Sequence, residues 1–243
     1  MKKSIIKVDP VKSFNDRRRF LKLGGMGIVG VGLLVACSND DNGDDGMMPP
    51  PDGIFDLGEG DLGVLNYAYA LEQLEADFYT KVVNSFYSGI SDEERQVLTD
   101  LYNHEVNHRE FFKTAITAAV GSSTELILPT LEFDYGNLDF GNREQVLNTA
   151  RTLEDTGVAA YNGAGRLIQD PGYLLLAGKI VSVEARHASA IRTLINPGSA
   201  DFAGDDIVTV DTGLDLAMDP SDIIAAVGAT GFIKTQFTAH NLP

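Results

Sequence analysis

The sequence predicts an all-α protein: a four-helix bundle made of two helical hairpins joined by a long crossover, with an irregular C-terminal tail. Three observations predict it. Four long segments carry apolar residues at three- and four-residue spacing. The connections between them run short, long, short, which makes the first and last pairs antiparallel neighbours. Of 243 residues, 44% are hydrophobic and only 9 are proline, enough to bury a core.

The elements begin with an address. Residues 1–36 hold eight basic and two acidic residues, leaving 11 basic and 33 acidic residues in the remainder, a net charge of −22. A basic stretch before an apolar run is an export signal. The run Leu23 to Ala36 is 14 residues and Gly-rich, short for a membrane span. Arg17-Arg18-Arg19-Phe20-Leu21-Lys22 resembles a twin-arginine signal, and Leu34-Val35-Ala36-Cys37 resembles a lipobox in which Cys37 is lipidated. The alternatives are an uncleaved anchor or an ordinary secretory signal. Residues 37–60 read as an acidic, Pro-rich tether with little to bury.

The bundle is expected over residues 61–196. The first helix runs from about Leu62 to Phe86, with Leu65, Ala68, Leu71, Leu74 and Phe78 on one stripe. The second runs from Asp92 to Val120, with Ser91 and Glu94 as a capping box and Gly121 as the stop. The third runs from Arg143 to about Ile168 behind Asn142 and Gln145. The fourth runs from Pro171 to Ile195, behind an Asp170 cap and ahead of Asn196-Pro197-Gly198. Residues 197–243 are expected to pack on the bundle as a tail with one short helix near Ser221–Val227.

An internal repeat singles out the chemistry. The first helix holds Leu71-Glu72 with Tyr79 seven residues after the Glu; the third holds Leu153-Glu154 with Tyr161 seven after. The second helix holds Glu105-Val106-Asn107-His108 and the fourth Glu184-Ala185-Arg186-His187. Residues three apart share a helix face, so each Glu-x-x-His aims a carboxylate and an imidazole at one point. Together the four helices supply four carboxylates and two imidazoles, donors suited to iron, manganese or zinc. Four carboxylates neutralise two divalent ions. Glu72 and Glu184 lie in apolar surroundings, where an unpartnered charge is costly. Glu75 shares a face with Glu72 and is an alternative or additional ligand, although it aligns with Gly157 in the repeat. His104 suits a solvated or outer role, and His240 lies in the tail.

Leu71-Glu72-Gln73-Leu74-Glu75-Ala76-Asp77-Phe78-Tyr79 and His104-Glu105-Val106-Asn107-His108 resemble the exported ferritin-like domain proteins of bacteria, relatives of plant desiccation-related proteins. The resemblance spans about Leu62 to Ile195. It implies a di-iron or di-manganese carboxylate centre ligated by Glu72, Glu105, His108, Glu154, Glu184 and His187, with Glu105 and Glu184 bridging. It implies that Tyr79 and Tyr161 hydrogen-bond carboxylates or donate an electron; the alternative is plain core tyrosines.

Redox chemistry on peroxide or oxygen, as peroxidase, catalase-like enzyme or ferroxidase, is the expected activity. The alternative is a non-catalytic metal-binding or stress-protective surface protein whose metal site is structural or lost. Small partners are peroxide, oxygen or metal ions. The expected location is the envelope of a Gram-negative bacterium, on the periplasmic face or cell surface, with the membrane contacted only through lipid on Cys37. The oligomeric state is left open, a dimer included. The acid excess and the lack of a basic patch exclude nucleic acid. No phosphate-cradling Gly-rich loop and no Gly-x-Ser-x-Gly elbow occurs, and a single cysteine rules out a Cys-rich metal site.

Overall fold

The computed structural model describes residues 53–243, so the expected export signal, the expected lipidation site Cys37 and most of the expected tether lie outside the described residues. Four long helices form two hairpins: α1 (Gly60–Asn84) packs on α2 (Asp92–Val120), and α3 (Arg143–Ala164) on α4 (Pro171–Ile195). Residues 121–142 cross between the hairpins. The tail adds a fifth helix, α5 (Pro220–Thr230). No helix among the described residues is long and apolar enough to cross a membrane.

The helix ends follow their local chemistry. The Ser91 hydroxyl accepts from the Glu94 backbone N–H at 3.1 Å and the Glu94 carboxylate accepts from the Ser91 N–H at 2.9 Å, a closed capping box. Such a cap contributes about 1 kcal/mol. Asn142 accepts from Gln145 N–H, and Asp170 from Gly172 and Tyr173 N–H. Gly121 ends α2 at φ 60°, a left-handed value that a side chain would oppose. Helix α3 stops at Ala164 and tightens into a 3₁₀ turn over Gly165–Leu167, earlier than the periodicity suggests, because Gly163 and Gly165 weaken its last turn.

Helix α1 is buried on nearly every side from Gly63 to Ala76, so it is the central rod of the molecule. Two buried amides on it guide the crossover. The Asn66 amide donates to the carbonyls of Leu57 and Leu126 and accepts from Leu128 N–H. Seven residues on, the Gln73 amide donates to the Pro129 carbonyl and accepts from Leu131 N–H. Crossover backbone groups that would otherwise be buried unpaired are thereby satisfied.

Residues 55–57, inside the stretch expected to be tether, are packed on the rest of the described residues. Strand β1 (Phe55–Asp56) pairs in parallel with β2 (Phe237–Thr238), and Leu57 is wholly buried. The tail does pack on the bundle. Met218 N–H donates to the Ala159 carbonyl, and the Asn162 amide donates to the Leu216 carbonyl. Gly163 meets the Met218 carbonyl so closely that no Cβ fits between them. Arg192 on α4 ties down the loop through bidentate contacts with both Asp155 and Asp206.

Candidate metal centre

Each long helix turns one carboxylate inward at the same level of the bundle. Glu72, Glu105, Glu154 and Glu184 are all wholly buried. The imidazoles of His108 and His187 enter from α2 and α4, three residues after their own glutamates, as helix geometry requires. His108 Nδ1 lies 2.9 Å from Glu184, 3.3 Å from Glu105 and 3.4 Å from Glu72. His187 Nδ1 lies 2.8 Å from Glu105, 3.3 Å from Glu154 and 3.5 Å from Glu184. The two halves are copies of one arrangement, related by the sequence repeat.

Two four-residue groups result, each able to hold a metal ion: Glu72, Glu105, His108 and Glu184, and Glu105, Glu154, Glu184 and His187. Glu105 and Glu184 belong to both. His108 Nδ1 and Glu105 Oε2 form a hydrogen bond at 3.3 Å, but most of the converging atoms form none. Glu72 Oε2, Glu105 Oε1, Glu154 Oε2, both oxygens of Glu184 and His187 Nδ1 are buried without a hydrogen-bond partner. Buried polar atoms are seldom left so, and each costs about 1–3 kcal/mol. Atoms that converge in distance but are misaimed for one another suit a cation between them.

The tyrosines cross between hairpins. Tyr79 of α1 donates to Glu154 Oε1 at 2.5 Å, and Tyr161 of α3 donates to Glu72 Oε1. Each outer carboxylate thus gives one oxygen to a tyrosine and leaves Oε2 facing an imidazole. Burial, followed by the Glu154 and Glu72 carboxylates respectively, pushes both phenols well up, so both stay protonated donors.

The electrostatics reflect crowding. Burial pushes the Glu154 carboxyl up to about 7 against the opposing pull of His187, and burial and Glu184 hold Glu105 well above the usual range. Burial also raises Glu184, but the His108 and His187 imidazoles outweigh it and hold that carboxyl at about 2. Burial would lower both imidazoles; the surrounding carboxylates win and raise both.

Glu75 joins neither four-residue group. It is buried beside them, with Oε1 3.0 Å from where a Gly157 Cβ would stand. The repeat pairs Glu75 with Gly157 because that space admits one of the two side chains. His104 is exposed at its outer edge, yet its Nδ1 lies 2.9 Å from His187 Nε2. Its placement two helices away from α4 in sequence hides this contact from any periodicity argument. His240 is exposed in the tail, far from the cluster in its contacts: its backbone N–H meets Asp56.

A bundle of two hairpins with an inward Glu-Glu-x-x-His set from each is the architecture of the ferritin-like carboxylate proteins. The family model described as "Ferritin-like domain" matches residues 60–197, α1 through the end of α4, and the chain belongs to that family. No curated protein matches the sequence.

Proposed function

We propose that this chain is an exported, lipid-anchored protein whose di-iron or di-manganese centre carries out redox chemistry on peroxide or oxygen. One observation carries the metal reading: buried donor atoms without hydrogen-bond partners converge in two groups that share Glu105 and Glu184. Glu72, Glu105, His108 and Glu184 would hold one ion, and Glu105, Glu154, Glu184 and His187 the other. Zinc suits the same donors, but a redox role needs iron or manganese. Bound metals would polarise the oxygen species and exchange electrons with it.

The chain's own groups set the conditions. Tyr79 and Tyr161 orient Glu154 and Glu72 so that one oxygen of each faces inward. The protonated imidazoles balance carboxylate charge until a cation replaces their protons. Leu74, Leu153 and Ile180 near the ligands on their own helices keep the surroundings apolar, which strengthens electrostatic interactions inside. The export signal and Cys37 support the envelope location: a twin-arginine route would let the protein fold and choose its metal before crossing.

The test is turnover. The full chain, loaded anaerobically with iron(II) or manganese(II), is mixed with peroxide or oxygen beside a Glu105→Ala variant. Consumption of the oxidant by the wild type, lost in a variant that remains helical, supports the redox reading. Stoichiometric metal binding without turnover would leave a storage or structural centre instead.

A further inference from the structure

The sequence repeat relates the two halves of the centre; besides Glu75 opposite Gly157, one contact that reaches beyond the six ligand-type residues breaks the equivalence. Aligning Glu105 with Glu184 puts His104 opposite Val183. His104 Nδ1 lies 2.9 Å from His187 Nε2, with the two rings within 7° of parallel. His108 has no such side-chain partner on Nε2 among the described residues, and its half has only an aliphatic Val183 at the matching place.

The direction of the bond follows from the site. A nitrogen that faces a metal must present a lone pair, so His187 Nδ1, set among Glu105, Glu154 and Glu184, leaves the ring proton on Nε2. Nε2–H then donates and His104 Nδ1 accepts. Partners of this kind fix a ligand's tautomer and ring orientation and raise its basicity, and losing one costs about 10–100-fold in metal affinity.

We propose that His104 is the positioning residue of the His187 half, and that its bond to Nε2 makes the two metal positions unequal, the His187 position binding a divalent cation more tightly than the His108 position. The inference rests on the metal-binding part of the reading above and not on turnover.

Manganese(II) alone is the probe, titrated into the full chain by calorimetry, with electron paramagnetic resonance at one equivalent. The wild type gives two resolved steps, and at one equivalent the spectrum of isolated ions. His104→Val, which copies the other half, weakens the first step about 10–100-fold and leaves the second unchanged, so spin-coupled pairs appear at one equivalent. His104→Asn, whose side-chain oxygen can stand in for Nδ1, restores the two-step titration. Circular dichroism of the metal-free protein shows all three folded at the titration temperature. Equal loss at both steps, no loss at either in His104→Val, or no recovery in His104→Asn overturns the proposal while leaving a metal centre in place. A wild type that takes up no manganese overturns the metal reading itself, and this proposal with it.

Discussion

Tyr79 on α1 reaches across the bundle to Glu154 on α3 at 2.5 Å, and Tyr161 on α3 returns the contact to Glu72 on α1. The two bonds lock the hairpins together and decide which oxygen of each carboxylate faces inward. They are one contact made twice, so their removal has matched consequences. Tyr79→Phe leaves Glu154 Oε1 buried and unpaired, a cost of about 1–3 kcal/mol, and Tyr161→Phe does the same to Glu72. Urea unfolding of the metal-free chain measures both. Equal, substantial losses are expected; a negligible change in either variant contradicts the role given to these hydroxyls.

Glu75 and Gly157 compete for one space. A Cβ on Gly157 stands 3.0 Å from Glu75 Oε1, tighter than ordinary contact. Replacing helical Gly by Ala otherwise gains about 1 kcal/mol. Gly157→Ala is therefore expected to stabilise a Glu75→Ala background more than the wild type, by at least ~0.5 kcal/mol. A double-mutant cycle reads the coupling, and additive effects would show that the two positions do not meet.

Gly163 meets backbone and not a movable side chain. Gly163→Ala must displace the Met218 carbonyl and with it the segment held by the Met218–Ala159 hydrogen bond. The expected loss is about 1–3 kcal/mol, with faster proteolysis confined to residues 204–218. Protection of that segment equal to wild type would argue against the close approach.

The pH dependence has a definite sign. Glu154 titrates at about 7 in the fold against about 4.3 unfolded. Its contribution is therefore present below the unfolded value and lost as pH rises through the folded one. Glu105 and both imidazoles are raised and act in the same direction; Glu184, held at about 2, loses its contribution only in acid below its unfolded value. Metal-free protein should thus melt lower at pH 8 than at pH 5. Cations must displace these protons, so manganese should raise the melting temperature more at pH 8 than at pH 5. Calorimetric melts with and without manganese check both slopes.

What could be read from the sequence is what local geometry dictates. Ser91, Glu94, Asp170 and Pro171 fix helix ends through their immediate neighbours, so α2 and α4 begin where the residues say. Glu105 and His108 converge because three residues is one turn, and the repeat carried that logic to Glu184 and His187. Long-range pairings had no such signal. Phe55 finds Phe237 across almost the whole described chain, in strands too short to show alternation. Asn66 and Gln73 look like interruptions of an apolar helix until the crossover is laid on them. His104 has the residue type of a ligand but meets its partner through its nitrogen's reach across to α4, which spacing along α2 does not encode.

The most direct test of the central claim is a count of bound metal. Full chain and a Glu105→Ala/Glu184→Ala variant are loaded anaerobically with iron(II) or manganese(II), freed of excess, and analysed by mass spectrometry for metal per chain. Because both carboxylates belong to both groups, two ions are expected in the wild type and loss of both in the variant. A folded wild type with no more metal than the variant contradicts the claim.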